Sequence, residues 1–163
     1  MSSRTRLAND AWEALLSAHA RLMKAFAAED IWAELSMREY DVLYTLSKRP
    51  GPLRLNELSR HVLLSQPALS RMVDRLVERG LVQRSPDPAD RRGVRLSLTG
   101  AGRERQREVG RRHARSVARA VTAELSPDEL EHLAALCWKL AGRRSATDAT
   151  GASGNDEKEP VHA

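Results

Sequence analysis

Apolar residues recur every three or four positions along the first third of the chain and predict two amphipathic helices. The first covers about residues 7–33, a stretch without proline or glycine. Its apolar face comprises Trp12, Leu15, Leu16, His19, Leu22, Met23 and Phe26. Ser36 and Glu39 are typical of a capping box that begins the second helix, and Pro50-Gly51-Pro52 ends it.

A short helix and a longer one are predicted next. Asn56 is expected to cap the short helix and Ser65 the longer one, with Pro67 in the first turn, where a missing N–H costs little. The longer helix, which ends at Gly80, has an apolar face of Leu69, Met72, Val73, Leu76 and Val77. Its outward face comprises Gln66, Ser70, Arg71, Asp74, Arg75 and Glu78, side chains that can bind base edges and phosphates.

Two strands, at residues 81–85 and 94–98, follow the longer helix. Alternation of apolar and polar residues predicts the second strand, and the eight residues between them form a loop. The tip of this loop carries Asp90, Arg91, Arg92 and Gly93. Helix, helix and strand pair in this order are the plan of a winged helix-turn-helix, which places one helix in a DNA major groove. An arginine-bearing loop can enter the minor groove, although an ordinary exposed hairpin tip fits the same residues.

Two further helices are predicted after the strands. Thr99 is expected to cap a helix that runs to about residue 124, and Ser126 and Glu129 form a capping box for the last one. These helices and the first carry more apolar surface than a small winged-helix unit can bury, which favours a two-fold homodimer. We therefore divide the chain into dimerisation helices at 1–35 and 100–142, a DNA-binding lobe at 36–99 and a disordered tail at 143–163.

Charge is concentrated on the predicted winged-helix segment and on the start of the helix after it. Residues 54–115 hold fifteen Lys or Arg against seven Asp or Glu, a net charge of +8, whereas the whole chain has +5. Such a basic block is typical of a surface that binds a polyanion, although a solvated face of an arginine-rich protein is equally compatible. The chain shows neither a signal peptide nor a membrane span, and its single cysteine, Cys137, excludes an internal disulfide, so we expect a cytoplasmic protein.

Several motifs in one register resemble the MarR family of bacterial transcriptional regulators. They are the run Asn56-Glu57-Leu58-Ser59, the recognition-helix run from Ser70 to Val82, the wing Asp87-Pro88-Ala89-Asp90-Arg91-Arg92-Gly93, and the closing Leu98-Thr99. The wing signature Asp-x-Arg-Gly-x4-Leu-Thr behind a recognition helix is a strong motif. In helix order and length the resemblance extends over roughly residues 7–142.

The resemblance implies a mainly α fold of six helices and a β-hairpin wing, in an intertwined homodimer that grips a pseudo-palindromic operator in double-stranded DNA. The recognition-helix residues that it implies as DNA contacts are Ser65, Gln66, Pro67, Ser70, Arg71 and Arg75. In the wing, Arg92 would enter the minor groove, Asp90 would hold it, and Arg91 would contact phosphate. Asp74 fits a structural ion pair better than a DNA contact.

A small anionic or phenolic effector that releases the DNA is also implied, which makes a repressor the leading hypothesis. The family's pocket could be lined here by Trp12, Leu16, His19 and Met37, although these residues also fit a dimer core. An architectural DNA-binding protein without sequence specificity is an alternative, and a metal- or redox-responsive regulator is a weaker one.

No cofactor or metal site is expected, because the five histidines are scattered and Cys137 lies on an apolar helix face. The sequence also lacks a Gly-rich phosphate loop and a nucleophile elbow, so we expect no enzyme.

Overall fold

The computed structural model describes residues 2–142, apart from the side chains of Arg91 and Arg92. Within this part the chain forms six helices and one antiparallel sheet of three strands. In chain order the elements are α1 (Ser3–Ala27), α2 (Met37–Ser47), β1 (Leu53–Arg54), α3 (Leu55–Ser59), α4 (Gln66–Glu78), β2 (Val82–Asp87), β3 (Asp90–Leu98), α5 (Gly100–Thr122) and α6 (Pro127–Leu140). The predicted fold class, mainly helical with a winged helix-turn-helix, is confirmed.

Within the described residues the chain divides into two compact units, one up to Ala120 and one from Val121 onward. The first unit holds the apolar core, in which Leu43 of α2, Leu58 of α3, Leu69 and Leu76 of α4, and Val109 of α5 are completely buried. The second unit contains α6, and none of the residues of this helix is buried. The predicted tail at 143–163 lies outside the described residues.

Helix α1 is shorter than the sequence pattern predicts. It ends at Ala27, and residues 28–36 turn back toward the core, with Ala33 in the left-handed region at φ 56°. The indole Nε1 of Trp32 donates a hydrogen bond of 2.8 Å to the Phe26 carbonyl oxygen, and both side chains are buried. The predicted end at residue 33 was wrong because burial of Trp32 and Leu35 outweighs continuation of the helix.

Polar side chains begin three of the helices as predicted, whereas Ser65 occupies the N-cap position of α4 without a capping hydrogen bond from its side chain. The capping boxes of α2 and α6 are both present, and the Thr99 hydroxyl accepts a hydrogen bond of 2.9 Å from the Gly102 N–H at the start of α5. Helix α3 differs, since it begins at Leu55 rather than after Asn56. The carboxylate of Glu57 accepts a hydrogen bond from the Arg54 N–H at 2.7 Å and fixes this earlier start.

Strand β3 lies at the centre of the sheet, between β1 and β2. The β2–β3 hairpin pairs Val82 with Leu98 and Pro86 with Val94, and an irregularity after Pro86 brings Asp87 opposite Asp90. The predicted loop of eight residues was wrong, because the strands continue to a turn of only Pro88 and Ala89. Gly93 permits this close pairing, since a Cβ there would lie 2.9 Å from the Asp87 Cβ.

None of the helices within residues 2–142 is both long and apolar enough to cross a lipid bilayer.

Candidate nucleic-acid interface

Helix α4 presents one polar face to solvent and buries the other. Leu69, Met72, Val73 and Leu76 are buried, and they anchor the helix against the core of the first unit. The predicted DNA contacts Ser65, Gln66, Pro67, Arg71 and Arg75 are exposed, and Ser70 is half-buried. Apolar burial therefore turns the polar and cationic side chains of this helix outward together, as base and phosphate contacts require.

An ion-pair network fixes the base of the β2–β3 wing. The Asp87 side chain is completely buried and accepts a hydrogen bond from Arg54 Nε, which lies on β1. Arg95 Nε on β3 lies 3.2 Å from Asp87 Oδ2, and the Ala89 N–H donates to Oδ1 at 3.0 Å. One carboxylate thus joins all three strands at the point where the wing leaves the body of the protein.

This network lowers the pKa of the Asp87 carboxyl to about 2. The hydrogen bond from Arg54 is the largest cause, the Ala89 N–H and Arg95 add to it, and burial opposes it. Asp87 is therefore ionised throughout the neutral pH range and offsets one of the two positive charges at the wing base.

A second ion pair joins the recognition helix to the wing. Asp74 on α4 pairs with Arg84 on β2, and each side chain is about half exposed. The interpretation of Asp74 as a structural partner agrees with this contact. Arg84 is held beside the outward face of α4 and adds a cation to it.

The wing residues that the sequence analysis singled out lie at the start of β3. Asp90 is exposed there, immediately after the turn. The side chains of Arg91 and Arg92 lie outside the described residues, so the roles predicted for them stay predictions.

The sequence analysis missed the three residues that hold the wing base, Arg54, Asp87 and Arg95. Arg54 and Asp87 are 33 positions apart, and no local pattern links them. Their charges were visible in the sequence, but only the strand pairing of Arg54 with Arg95 brings the two guanidinium groups to one carboxylate.

A cavity of about 810 Å³ lies between α2 and α5 within the first unit. Helix α2 contributes Tyr40, Asp41 and Tyr44, and α5 contributes Gln106, Arg107, Gly110, Arg111, His113, Ala114, Val117 and Ala118. Aromatic and small apolar side chains thus lie next to arginines, a combination that suits an aromatic anion.

His113 lies in an aromatic cluster beside this cavity. Its ring centroid is 5.2 Å from that of Phe26, 5.0 Å from that of Trp32 and 5.6 Å from that of Tyr40. Burial lowers the pKa of His113, and Glu29 opposes this shift. The imidazole is therefore neutral at pH 7, and its buried Nδ1 has no hydrogen-bond partner among the described residues.

The residues predicted to line a ligand pocket lie elsewhere in the chain. Trp12, Leu16 and His19 are exposed on α1, and Met37 is half-buried at the start of α2. None of the four lines the α2–α5 cavity, so their predicted contact with a ligand is still a prediction. Cys137 is a free, half-buried thiol on α6.

Comparison with known proteins places this site in a family. The model of the MarR family matches residues 35–94. YkoM, an HTH-type transcriptional regulator of Bacillus subtilis, is 36% identical over 101 residues, which are 62% of this chain and 64% of YkoM. The multiple antibiotic resistance protein MarR of Salmonella typhimurium is 33% identical over 107 residues, which are 66% of this chain and 74% of that protein.

Solved structures share the fold. A MarR family transcriptional regulator from Streptomyces coelicolor, crystallised in complex with DNA, has a TM-score of 0.71 at 26% identity and covers 90% of this chain and 92% of its own. The PcaV transcriptional regulator from the same organism, in complex with its natural ligand, has a TM-score of 0.60 at 31% identity. The match covers 80% of this chain and 88% of the PcaV chain.

The chain belongs to the MarR family. This confirms the resemblance recognised in the recognition helix and wing. YkoM and both structural neighbours are transcriptional regulators. The chain spans 64% of the length of YkoM and 65% of that of PecS from Dickeya dadantii, the first curated relatives that it matches.

Proposed function

We propose that this protein is a sequence-specific DNA-binding transcriptional regulator, a homodimeric repressor that leaves a pseudo-palindromic operator when a small anionic or phenolic ligand binds. The observation that carries the proposal is the outward face of α4. There the exposed side chains of Gln66, Arg71 and Arg75 follow one another along a helix that is anchored by four buried apolar residues. Gln and Arg can each make bidentate contacts with purines in the major groove.

Charge supports DNA as the partner. Residues 54–99, which contain α3, α4 and the wing, carry a net charge of +4, and the start of α5 up to residue 115 carries a further +4. A structural neighbour of the same family was crystallised in complex with DNA, and its chain is matched over 92% of its length. We therefore place the DNA-binding lobe at residues 36–99.

Exposed apolar side chains support a homodimer. Leu7, Trp12 and Leu16 of α1 are 69%, 58% and 47% exposed, and in α6 Leu136 and Leu140 are 61% and 77% exposed. Apolar surface of this extent on two helices indicates a partner, and a second copy is the commonest one. We place the dimer interface in residues 1–35 and 100–142.

Light scattering during size-exclusion chromatography tests whether the protein is a dimer in solution. We expect twice the chain mass of 18.2 kDa at micromolar concentration. Substitution of Trp12 and Leu136 by Ser should shift the protein toward the monomer, whereas Leu63→Ser, which changes a residue 89% exposed outside these helices, should not. A folded monomer in the unmodified chain would contradict the proposal.

The α2–α5 cavity is the effector site that we favour. It offers an aromatic and apolar lining with two arginines. Among the structural neighbours, PcaV was crystallised with its natural ligand, and the DNA binding of BpsR from Bordetella bronchiseptica is regulated by 6-hydroxynicotinic acid. Helix α2 leads directly to β1 and α3, so a ligand that displaces α2 can move the DNA-binding lobe.

Selection of genomic fragments, followed by binding titrations at fixed salt, tests the DNA-binding function. We expect the selected operator to bind at least about 10³-fold more tightly than random DNA. Arg71→Ala should weaken operator binding, while Arg112→Ala should not, because Arg112 lies on α5 and pairs with Glu108 at 2.9 Å. A ratio near one between operator and random DNA would instead indicate an architectural DNA-binding protein.

A further inference from the structure

Two cavities between α2 and α5 adjoin and form one groove. The cavity of about 810 Å³ meets a second one of about 350 Å³, and Tyr44, Gln106 and Arg107 line both. The groove follows α5 from Arg103 to Val117, which are fourteen residues apart, so its length is about 21 Å. A single aromatic ring with one acidic group would occupy only part of it.

The two ends of this groove differ in chemistry. Tyr40, His113, Ala114 and Val117 make one end mainly aromatic and apolar, and its charged residues are Arg111 and Asp41. The other end is cationic, since it is lined by Lys48, Arg49, Arg103 and Arg107, and none of the described residues around it is acidic. Asp41 is the acid of the groove, and it lies at the aromatic end, where burial raises its pKa.

The cations of the second cavity form no ion pair with an acidic residue within residues 2–142. Among the described residues, the ion pairs of α5 engage Arg105, Arg112 and Arg119 but neither Arg103 nor Arg107. Lys48 Nζ lies 4.9 Å from the centroid of the Tyr44 ring, and the Arg49 side chain contacts His61. Like charges gathered in this way repel one another, so a bound anion would stabilise the arrangement.

We propose that the groove binds an elongated ligand in which an aromatic or apolar body carries a phosphate or a comparable doubly charged group. The body would lie against the rings of Tyr40, Tyr44 and His113, and the phosphate would lie among Lys48, Arg103 and Arg107. This inference rests on the proposed function, because it names the ligand class of the same effector site. A phosphate brings about two negative charges and three acceptor oxygens, which suits several converging cations better than a carboxylate does.

Calorimetric titration of the full chain without DNA tests the proposal, with 1-naphthyl phosphate as the probe. The comparison ligands are 1-naphthoate, which keeps the ring system but has one negative charge, and inorganic phosphate, which lacks the body. We expect naphthyl phosphate to bind at least about tenfold more tightly than either. Equal binding of naphthoate, or no binding of naphthyl phosphate, would overturn the proposal.

Two variants distinguish the contribution of the cationic end to ligand affinity from that of the rest of the groove. Lys48→Gln combined with Arg103→Gln should lower the affinity for naphthyl phosphate about tenfold or more and that for the singly charged naphthoate by a clearly smaller factor. Arg112→Gln removes an α5 arginine outside the groove and should leave both affinities unchanged. Equal losses for the two ligands in the double variant would contradict a phosphate site.

DNA is a second source of phosphate, and operator titrations of the same variants distinguish it. The double variant should bind the operator with unchanged affinity and unchanged salt dependence when no small ligand is present. Weaker DNA binding with a shallower salt slope would instead make Lys48 and Arg103 backbone contacts and overturn the proposal. Failure of all variants and the unmodified chain to bind any operator would count against the proposed function itself.

Discussion

Gly102→Ala should destabilise the protein, although alanine is a better helix former than glycine. Gly102 is buried in the first turn of α5, where the helix starts beside the chain that joins α4 to β2. A Cβ at this position would lie 1.9 Å from the Leu81 carbonyl oxygen and 2.9 Å from its carbonyl carbon. Because both neighbours are backbone atoms, no side-chain rotation can relieve the overlap.

The size of the effect follows from two opposing terms. Alanine in a helix interior gains about 1 kcal/mol over glycine, and less near a helix end. Overpacking costs about 1–3 kcal/mol, and here the Cβ must move from 1.9 Å to at least 3.0 Å from the oxygen. That movement strains the hydrogen bonds that Thr99 makes with Gly80, Leu81 and Gly102. We expect a net loss of about 2 kcal/mol, or about 4–8 °C in the melting temperature.

Two other glycines of the same helix are matched controls. A Cβ at Gly100 meets nothing within 4 Å, so Gly100→Ala should leave the free energy of unfolding within about 0.5 kcal/mol of the parent. A Cβ at Gly110 would lie 3.1 Å from the Tyr40 hydroxyl oxygen, so its substitution should have an intermediate effect. Urea and thermal unfolding, measured at one protein concentration, rank the three variants by their free energy of unfolding. A Gly102→Ala protein as stable as the parent would refute the reasoning.

Three further substitutions probe the DNA interface. Asp87→Asn should flatten the pH dependence of the free energy of unfolding between about pH 4 and pH 2, measured in acid titrations. The lowered pKa of Asp87 stabilises the fold above the unfolded value of 3.8, and this contribution is lost as the pH falls to about 2. An unchanged acid transition would contradict the network at the wing base. Gln66→Ala should relax base preference at one operator position by about 1–3 kcal/mol, and a uniform loss across all sequences would make Gln66 a backbone contact. Arg92→Ala should weaken operator binding without a change in the circular dichroism spectrum, and undiminished affinity would disprove its predicted role in the wing.

Local chemistry made much of the fold predictable. The capping boxes at Ser36 and Ser126 depend on residues only three positions apart, and both formed as the sequence indicates. The apolar face of α4 was also evident, because four of its five predicted members are buried and the fifth, Val77, packs partly buried against the core. The end of α1 was not predictable, since it depends on Trp32 reaching a core built by other helices.

The candidate site likewise has a part that local sequence predicts and a part that it does not. Residues of the recognition helix could be identified in advance, since one helix carries them all and burial of one face exposes the other. The wing base and the α2–α5 groove could not be identified, because each joins side chains from distant segments. Arg54 and Asp87 are one example, and Tyr40 of α2 with His113 of α5 are another.

The sequence by itself determined the order of the elements, the faces of their helices and the family, since helix periodicity, caps and the wing motif act within a few residues of one another. Tertiary structure alone decided which carboxylate holds the wing and which helices enclose a cavity. The physical reason is that ion pairs and cavities depend on distances of a few ångströms between residues far apart in sequence. Only the packing of the core around Leu43, Leu76 and Val109 sets those distances.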